Sequence, residues 1–190
     1  MSTRVYTKDD LISFKPCHDS FVGIDSDGCV FDTMEIKQKK CFHGLIVSNW
    51  RLEPIEKYVR ESAEFVNLYS KWRGQNRFPC LLMSLELLHD RPEVIQSGVK
   101  LPDTTALKKF IDSGVSLSNP ELTRIAKETH DPDLASLLKW SNDVNTRIAA
   151  TVKKVPPFTW ALESFKLIRK QSDAICVSQT PTEALVREWE

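Results

Sequence analysis

Glycine is scarce in this chain, and the glycine-rich loops that bind nucleotides are missing. Only six glycines occur, and none follows Gly114. The sequence contains neither a G-x-G-x-x-G pattern nor a G-x-x-x-x-G-K-[ST] loop, whose backbone N–H groups cradle phosphates. These absences exclude a dinucleotide-binding fingerprint and a P-loop.

Cysteine pairs of the kind that build zinc sites or redox motifs are also missing. The chain has five cysteines, and no two of them form a C-x-x-C pair. Cys17–His18 and Cys41–His43 lack the second pair that a four-ligand zinc site needs. This cysteine usage is typical of a reducing compartment and argues against a disulfide framework.

Neither sign of charge is in excess. Lys plus Arg and Asp plus Glu number 26 each, so the formal net charge is +0, and no overall field attracts nucleic acid or an anionic membrane. No apolar run approaches the roughly 18 residues that span a bilayer, and the N-terminal residues are polar. We therefore expect a cytoplasmic protein without signal peptide or anchor, and with neither a nucleic-acid nor a membrane partner.

Two short apolar runs far apart in the chain predict two β-strands. Phe-Val-Gly-Ile at 21–24 is stopped by two aspartates and a glycine, and Ala-Ile-Cys-Val at 174–177 is stopped by Ser178-Gln-Thr-Pro. In both places a buried strand would end in a polar loop. We predict that the two runs are neighbouring parallel strands.

Between the two runs almost every signal is helical. Asn119 and Asp131 each place a capping side chain before a proline, which predicts helices that reach about His130 and Thr151. The tandem prolines that begin at Pro156 break this region, and helical signals resume before the second strand. The order of elements therefore predicts an α/β protein with a long helical insertion.

Apolar spacing gives two more expectations for the insertion. Apolar residues recur with helical spacing from Ile55 to Tyr69, which predicts one helix ending near Trp72. The stretch Cys80–His89 is too apolar for a surface helix, so it is expected at the centre of a helical core. Three large aromatic residues are also expected in the core: Trp140, Trp160 and Phe165.

Asp25 and Asp27 stand two positions apart where the first strand is predicted to end. Strand side chains alternate with a period of two, so both carboxylates face one side, at the strand end where open α/β sheets bind ligands. One carboxylate can attack an electrophile or hold a cation while the other moves protons. An ordinary strand-to-loop turn is the alternative, because Gly28 lets the chain turn sharply and short motifs often occur by chance.

The stretch Asp25-Ser-Asp27-Gly28-Cys-Val-Phe-Asp-Thr33 resembles the first motif of the haloacid dehalogenase superfamily, in particular its branch with an inserted helical cap. Ile-Cys-Val-Ser178-Gln-Thr-Pro is similar to the second motif of that family. The resemblance covers residues 20–33 and 157–190, whereas the insertion matches in type only. It implies a Rossmann-like parallel-sheet core from residues 1–32 and 155–190, present only in its N-terminal part, and an all-helical cap at 33–154.

The resemblance also implies roles for individual residues. Asp25 would be the nucleophile that becomes an aspartyl phosphate, and Asp27 the general acid and then base. Asp25 and the backbone carbonyl of Asp27 would help to hold Mg²⁺. Because a dehalogenase proper lacks the second aspartate, Asp27 favours phosphoryl transfer on a small phosphorylated substrate.

Ser178, Gln179 and Gly28 form the phosphate-binding set that the resemblance implies. Ser178 and the N–H groups that follow it stand before a helix whose start is signalled by a capping box at Thr180-Pro-Thr-Glu183, and helix N-termini attract phosphate. The alternative is that Ser178 and Thr180 only cap the following helix and bind no ligand.

Arg73 and Arg77 belong to a polar turn at a helix end within the insertion. Such a loop can close over a pocket and grip an anionic substrate, so both residues are candidates for substrate binding. The alternative is a solvated helix end whose basic residues favour the helix dipole.

The later motifs of the family, a lysine and the acidic residues that complete its Mg²⁺ site, are not found in the chain. A two-stranded parallel sheet also has open edges. We therefore expect either a longer protein whose C-terminal segment covers the sheet, or a dimer that does so. The expected function is Mg²⁺-dependent phosphohydrolysis; a phosphomutase, a phosphonate hydrolase and a catalytically incompetent binding module remain alternatives.

Overall fold

Helices make up most of the described chain, and one small parallel sheet accompanies them. The computed structural model describes residues 7–180 and 182–189, and at position 183 it describes the backbone alone. The α-helices and β-strands in chain order are α1 (Lys8–Ile12), β1 (Phe21–Ile24), α2 (Met34–Ile36), α3 (His43–Trp50), α4 (Glu56–Glu64), α5 (Arg77–His89), α6 (Pro92–Ser97), α7 (Thr105–Asp112), α8 (Asn119–Thr129), α9 (Pro132–Thr151), α10 (Ala161–Ile168), β2 (Asp173–Cys176) and α11 (Thr182–Trp189). A π-helical segment, Lys37–Phe42, joins α2 to α3, and a short 3-10 helix, Glu53–Ile55, precedes α4. Within the described ranges, no helix has both the length and the apolar character needed to cross a membrane.

The chain divides into two compact units. The sheet unit combines the described residues of Met1–Met34 and Val152–Glu190, and the helical unit spans Glu35–Thr151. This division lies close to the boundaries expected at 33 and 154.

β1 and β2 lie side by side in the sheet unit. They pair in parallel, with Phe21 opposite Asp173 and Ile24 opposite Cys176, which confirms the prediction of two neighbouring parallel strands. The N–H of Val177 donates to the carbonyl of Ile24 at 2.8 Å and continues the ladder beyond β2. Each strand has one neighbour among the described residues, so the outer edge of each strand stays open there.

The apolar core of the sheet unit is small. Val30 and Phe31 are its buried apolar residues within the part of the chain that the structure describes. Trp189 places its ring edge-on to Phe31, with centroids 5.6 Å apart, and stacks on half-buried Phe165 at 5.5 Å. The expectation that Trp160 belongs to the core is wrong: it is the N-cap residue of α10 and is 70% exposed, whereas Trp189 is the tryptophan that stacks on Phe165.

The helical unit holds the main core. Trp140 is 1% exposed, and its ring contacts those of Phe42 and Phe78. The stretch Cys80–His89 lies within α5 and buries its apolar side, as expected. The largest fully buried apolar side chains of the unit are Trp140, Phe78, Leu52, Ile55, Leu81, Leu88, Leu122, Val59, Val66 and Val144.

The two proline-marked helices begin where the sequence predicts, but they are capped differently. Oδ1 of Asp131 accepts the N–H groups of Asp133 and Leu134 at 2.8 and 3.2 Å, a genuine N-cap for α9. The prediction that Asn119 caps α8 is wrong, because its side-chain oxygen accepts the hydroxyl of Ser141 at 2.7 Å instead. A bond to another helix has replaced the local cap.

The helix predicted from Ile55 to Trp72 changes its geometry partway. After α4 the backbone continues as a π-helical segment, Phe65–Tyr69, and the helix ends at Ser70. One additional residue per hydrogen-bonded turn shifts the side chains that follow around the axis. Tyr69, which the apolar spacing places on the buried stripe, is therefore 63% exposed.

Candidate functional site

The candidate site lies in the sheet unit, where β1 and β2 end beside each other. Asp25 and Asp27 follow β1, and the segment 178–180 follows β2. Because the strands are parallel and Ile24 is opposite Cys176, both loops begin at the same end of the two strands. The structure therefore brings together the two segments that the sequence singled out.

Two threonine hydroxyls hold the carboxylate of Asp27. Oγ1 of Thr180 donates to Asp27 Oδ2 at 2.7 Å, and Oγ1 of buried Thr33 donates to Oδ1. The bond from Thr180 joins the loop after β2 to the loop after β1. Hydroxyl donors on both oxygens fix the orientation of a carboxylate.

The carboxylate of Asp25 is more accessible. Asp25 is exposed, its Oδ1 accepts the N–H of Ser26 at 2.8 Å, and its Oδ2 has no hydrogen-bond partner among the described residues. Ser26 between the aspartates is fully buried, and its hydroxyl accepts Nε1–H of Trp189 at 3.0 Å. This alternation matches the two-residue period expected at the end of a strand.

A tight loop follows the aspartate pair. The carbonyl of Ser26 accepts the N–H groups of Val30 and Phe31 at 2.9 and 3.1 Å. Gly28 adopts a left-handed conformation with φ of 73°, which residues with a Cβ rarely adopt. Its N–H donates to the carbonyl of Phe31 at 2.7 Å, so the phosphate-binding candidate Gly28 has this group engaged within the loop.

In the segment after β2, the hydroxyl of Ser178 forms a local hydrogen bond. Oγ of half-buried Ser178 accepts the N–H of Thr180 at 3.1 Å, and Gln179 is exposed. The capping-box prediction placed the hydroxyl of Thr180 on the following helix, but that hydroxyl is directed to Asp27. Pro181 and the side chain of Glu183 lie outside the described residues.

The site has a negative electrostatic character. Burial raises the pKa of the Cys176 thiol, and the carboxylates of Asp25, Glu188 and Asp27 act in the same direction. Negative charge at the ends of the two strands favours a bound cation. Sequence reasoning missed Cys176 as a member of the site, although it is the last residue of β2 and the strand register pairs it with Ile24.

The donor chemistry of the site suits Mg²⁺. The ion takes oxygen ligands and is usually held by one or two carboxylates together with waters and substrate phosphates. Asp25 offers an accessible carboxylate oxygen of that kind. Over the described ranges, no three His, Cys, Asp or Glu residues are grouped to hold a metal ion, so the fit rests on the aspartate pair.

The two arginine candidates lie in the helical unit and have different surroundings. Exposed Arg73 donates through Nη1 to the carbonyl of Leu68 at 3.2 Å, at the end of the π-helical segment. Half-buried Arg77 opens α5 and donates through Nη1 to Ser141 and Asn145 of α9. Both contacts are structural, and substrate binding by either residue stays a prediction.

No protein-family model, curated protein or solved structure matches the chain. The resemblance to the haloacid dehalogenase superfamily therefore rests on the residues of the two strand-end motifs. Membership in that family is a prediction, and the activity it implies is a proposal.

Proposed function

We propose that the protein is a Mg²⁺-dependent phosphohydrolase of the haloacid dehalogenase type, acting on a small phosphorylated substrate through an aspartyl phosphate. The observation that carries the proposal is the 2.7 Å hydrogen bond from Thr180 to Asp27. It joins the loops after two parallel strands, while Asp25 keeps one carboxylate oxygen without a partner in the described chain. A held carboxylate beside an accessible one supports a division between proton transfer and nucleophilic attack.

The proposed reaction has two steps. Oδ2 of Asp25 attacks phosphorus and forms the aspartyl phosphate, while the bond to the leaving oxygen breaks and that oxygen takes a proton from Asp27. Water then attacks the phosphorus of the aspartyl phosphate and gives a proton to Asp27, which releases inorganic phosphate and restores Asp25. The hydroxyls of Thr33 and Thr180 orient the carboxyl group of Asp27 in both steps.

Phosphate and metal would be held by groups at the ends of the same two strands. The hydroxyl of Ser178 and the N–H of Gln179 are candidates for the phosphate oxygens. The carboxylate of Asp25 and the backbone carbonyl of Asp27 would hold Mg²⁺, which when bound neutralises charge on the phosphoryl group. Under this proposal the sheet unit is the beginning of a Rossmann-like core and the helical unit is its cap.

The test is release of inorganic phosphate from a panel of sugar phosphates and p-nitrophenyl phosphate with Mg²⁺. The Asp25→Asn variant should lose at least about a thousandfold in turnover, as expected for loss of a nucleophile. The matched control is Asp32→Asn, which removes an exposed carboxylate from the same loop and should keep turnover within about twofold. Equal turnover by the wild-type chain and Asp25→Asn would contradict the assignment.

Product analysis separates the proposal from its alternatives. Free phosphate from a monoester indicates a phosphatase, an isomerised sugar phosphate a phosphomutase, and an aldehyde a phosphonate hydrolase. Acid-quenched wild-type protein should carry a phosphoryl group that Asp25→Asn lacks. Phosphate binding without turnover would identify a binding module instead.

A further inference from the structure

Arg77 of the helical unit is fixed at one end of its guanidinium group. Nη1 donates to the carbonyl of Ser141 at 3.1 Å, to the hydroxyl of Ser141 at 3.0 Å and to Oδ1 of Asn145 at 2.8 Å. Cζ lies 5.3 Å from the ring centroid of Phe42, so an aromatic face also supports the group. These contacts restrict the rotamers of a normally flexible side chain.

The opposite edge of the same guanidinium group has no partner in the part of the chain that the structure describes. Nε and Nη2 of Arg77 make no hydrogen bond to any described residue. Neither atom is among the polar atoms that are buried without a hydrogen-bond partner. They therefore reach solvent. Nε–H and Nη2–H are parallel donors, the geometry that matches two oxygens of one carboxylate or phosphate group.

Arg77 also differs in its charge environment from three arginines of the helical unit that have ion pairs. Arg60, Arg91 and Arg124 each pair with a glutamate, at 2.6, 2.6 and 2.5 Å. Arg77 has no ion pair among the described residues, and its three acceptors are uncharged. Burial lowers the pKa of Arg77 to about 10, and no carboxylate offsets that effect. A partly buried cation without a carboxylate partner is stabilised by an anion that comes from outside the chain.

We propose that Arg77 binds the oxyanion of a ligand, a carboxylate or phosphate group, through its Nε and Nη2 edge. The site belongs to the helical unit alone and does not depend on the proposed phosphohydrolase activity. It also separates the two arginine candidates, because Arg73 is exposed and lacks the supports at Ser141, Asn145 and Phe42.

The experiment follows the Nε–H resonance of Arg77 in the ¹⁵N-labelled protein, assigned by its loss in Arg77→Lys. Inorganic phosphate and acetate are titrated in separate arms at constant ionic strength, with chloride as the balancing ion. A saturable shift in the millimolar range is expected, and the anion that saturates first identifies a phosphate or a carboxylate ligand. The Nε–H of Arg73 is the internal reference and should not saturate.

Two variants extend the test. Arg77→Lys keeps the charge but lacks the two parallel donors. Phosphate binding to this variant, followed through the amide resonances of Ser141 and Asn145, should be about tenfold weaker than binding to the wild type. Asn145→Asp keeps Arg77 and places a carboxylate next to Nη1, so phosphate should bind Arg77 about tenfold more weakly. No saturable shift with either anion, a matching shift at Arg73, or unchanged phosphate binding in Asn145→Asp would overturn the proposal.

Discussion

At the scale of single residues, the two aspartates after β1 (Phe21–Ile24) differ in how they are held. Asp27 accepts hydroxyls on both oxygens, whereas Asp25 accepts one backbone N–H and is exposed. The identical chemical groups thus have different freedom of movement. A proton-transfer group benefits from a fixed orientation, and a nucleophile needs access to its substrate.

The Thr180 hydroxyl should contribute measurably to stability as well as to the site. Thr180→Val keeps the shape of the side chain but removes the donor to Asp27, so the free energy of unfolding at neutral pH should fall by about 1–2 kcal/mol. Thr182→Val, at the exposed first residue of α11, should change it by less than about 0.5 kcal/mol. Urea denaturation measures both values, and equal effects would show that the bond to Asp27 adds nothing to stability.

His43 makes the helical unit sensitive to acid. The residue is 1% exposed, and its Nε2 has no hydrogen-bond partner among the described residues. Burial lowers the pKa of His43 from 6.5 to about 4; Glu64 opposes this shift, whereas Arg60 and Lys39 reinforce it. Between these two pKa values the unfolded chain binds a proton that the folded chain does not.

The free energy of unfolding should therefore decrease as pH falls from about 6.5 to about 4, by up to about 3 kcal/mol from this residue. The variant His43→Leu cannot take up this proton. We expect the stability of the wild type relative to His43→Leu to decline over that range and to level off below it. Urea denaturation at a series of pH values measures the difference, and a constant difference would contradict the buried neutral histidine.

At the scale of helices, local patterns predicted where elements begin better than how they are capped. The prolines marked the starts of α8 (Asn119–Thr129) and α9 (Pro132–Thr151) correctly. Of the two expected caps, Asp131 accepts N–H groups at the start of its helix. The side-chain oxygen of Asn119 accepts the hydroxyl of Ser141 instead. The π-helical segment Phe65–Tyr69 also escaped prediction, since apolar spacing does not specify which hydrogen-bond pattern the backbone adopts.

The difference between the two helix starts can be measured directly. Asp131→Ala removes an N-cap that accepts two N–H groups of α9, so it should lower the free energy of unfolding by about 1 kcal/mol. Ser118 is the N-cap residue of α8 and has no side-chain cap bond, so Ser118→Ala should cost less than about 0.5 kcal/mol. Similar losses in the two variants would show that the bonds of Asp131 do not stabilise α9.

At the scale of the whole molecule, buried apolar residues are divided unequally between the two units. Within the described residues, all buried apolar side chains except Val30 and Phe31 belong to the helical unit. The sheet unit also exposes large apolar side chains, including Phe21 at 65%, Leu167 at 63% and Val177 at 58%. Hydrophobic burial is the main favourable contribution to folding, so the units should differ in local stability.

Native-state hydrogen exchange should reveal this difference. Amides in the middle of α5 (Arg77–His89) and α9 should exchange at least about tenfold more slowly than those in β1 and β2, because fewer apolar contacts oppose opening of the sheet. Mass spectrometry of peptides from each unit measures the rates. Equally slow exchange in the strands would indicate that the sheet is stabilised by contacts beyond those of the sheet unit.

The sequence by itself determined the local features of this protein. The run Phe-Val-Gly-Ile became β1 and the prolines opened α8 and α9, because strand and helix formation depend on side-chain alternation, backbone restriction and end groups within a few residues. The aspartate pair and Ser178 were visible for the same reason, since they directly follow recognisable strands.

Only the tertiary structure decided which distant groups meet. Thr180 and Asp27 are 153 residues apart in sequence, and Arg77 and Ser141 are 64 apart. The partner of such a side chain is set by the packing of whole elements against each other, which a short stretch of sequence does not encode. For that reason only the folded chain shows which hydroxyls bind Asp27. It alone also shows that Arg77 is bound through Nη1 and not through Nε and Nη2.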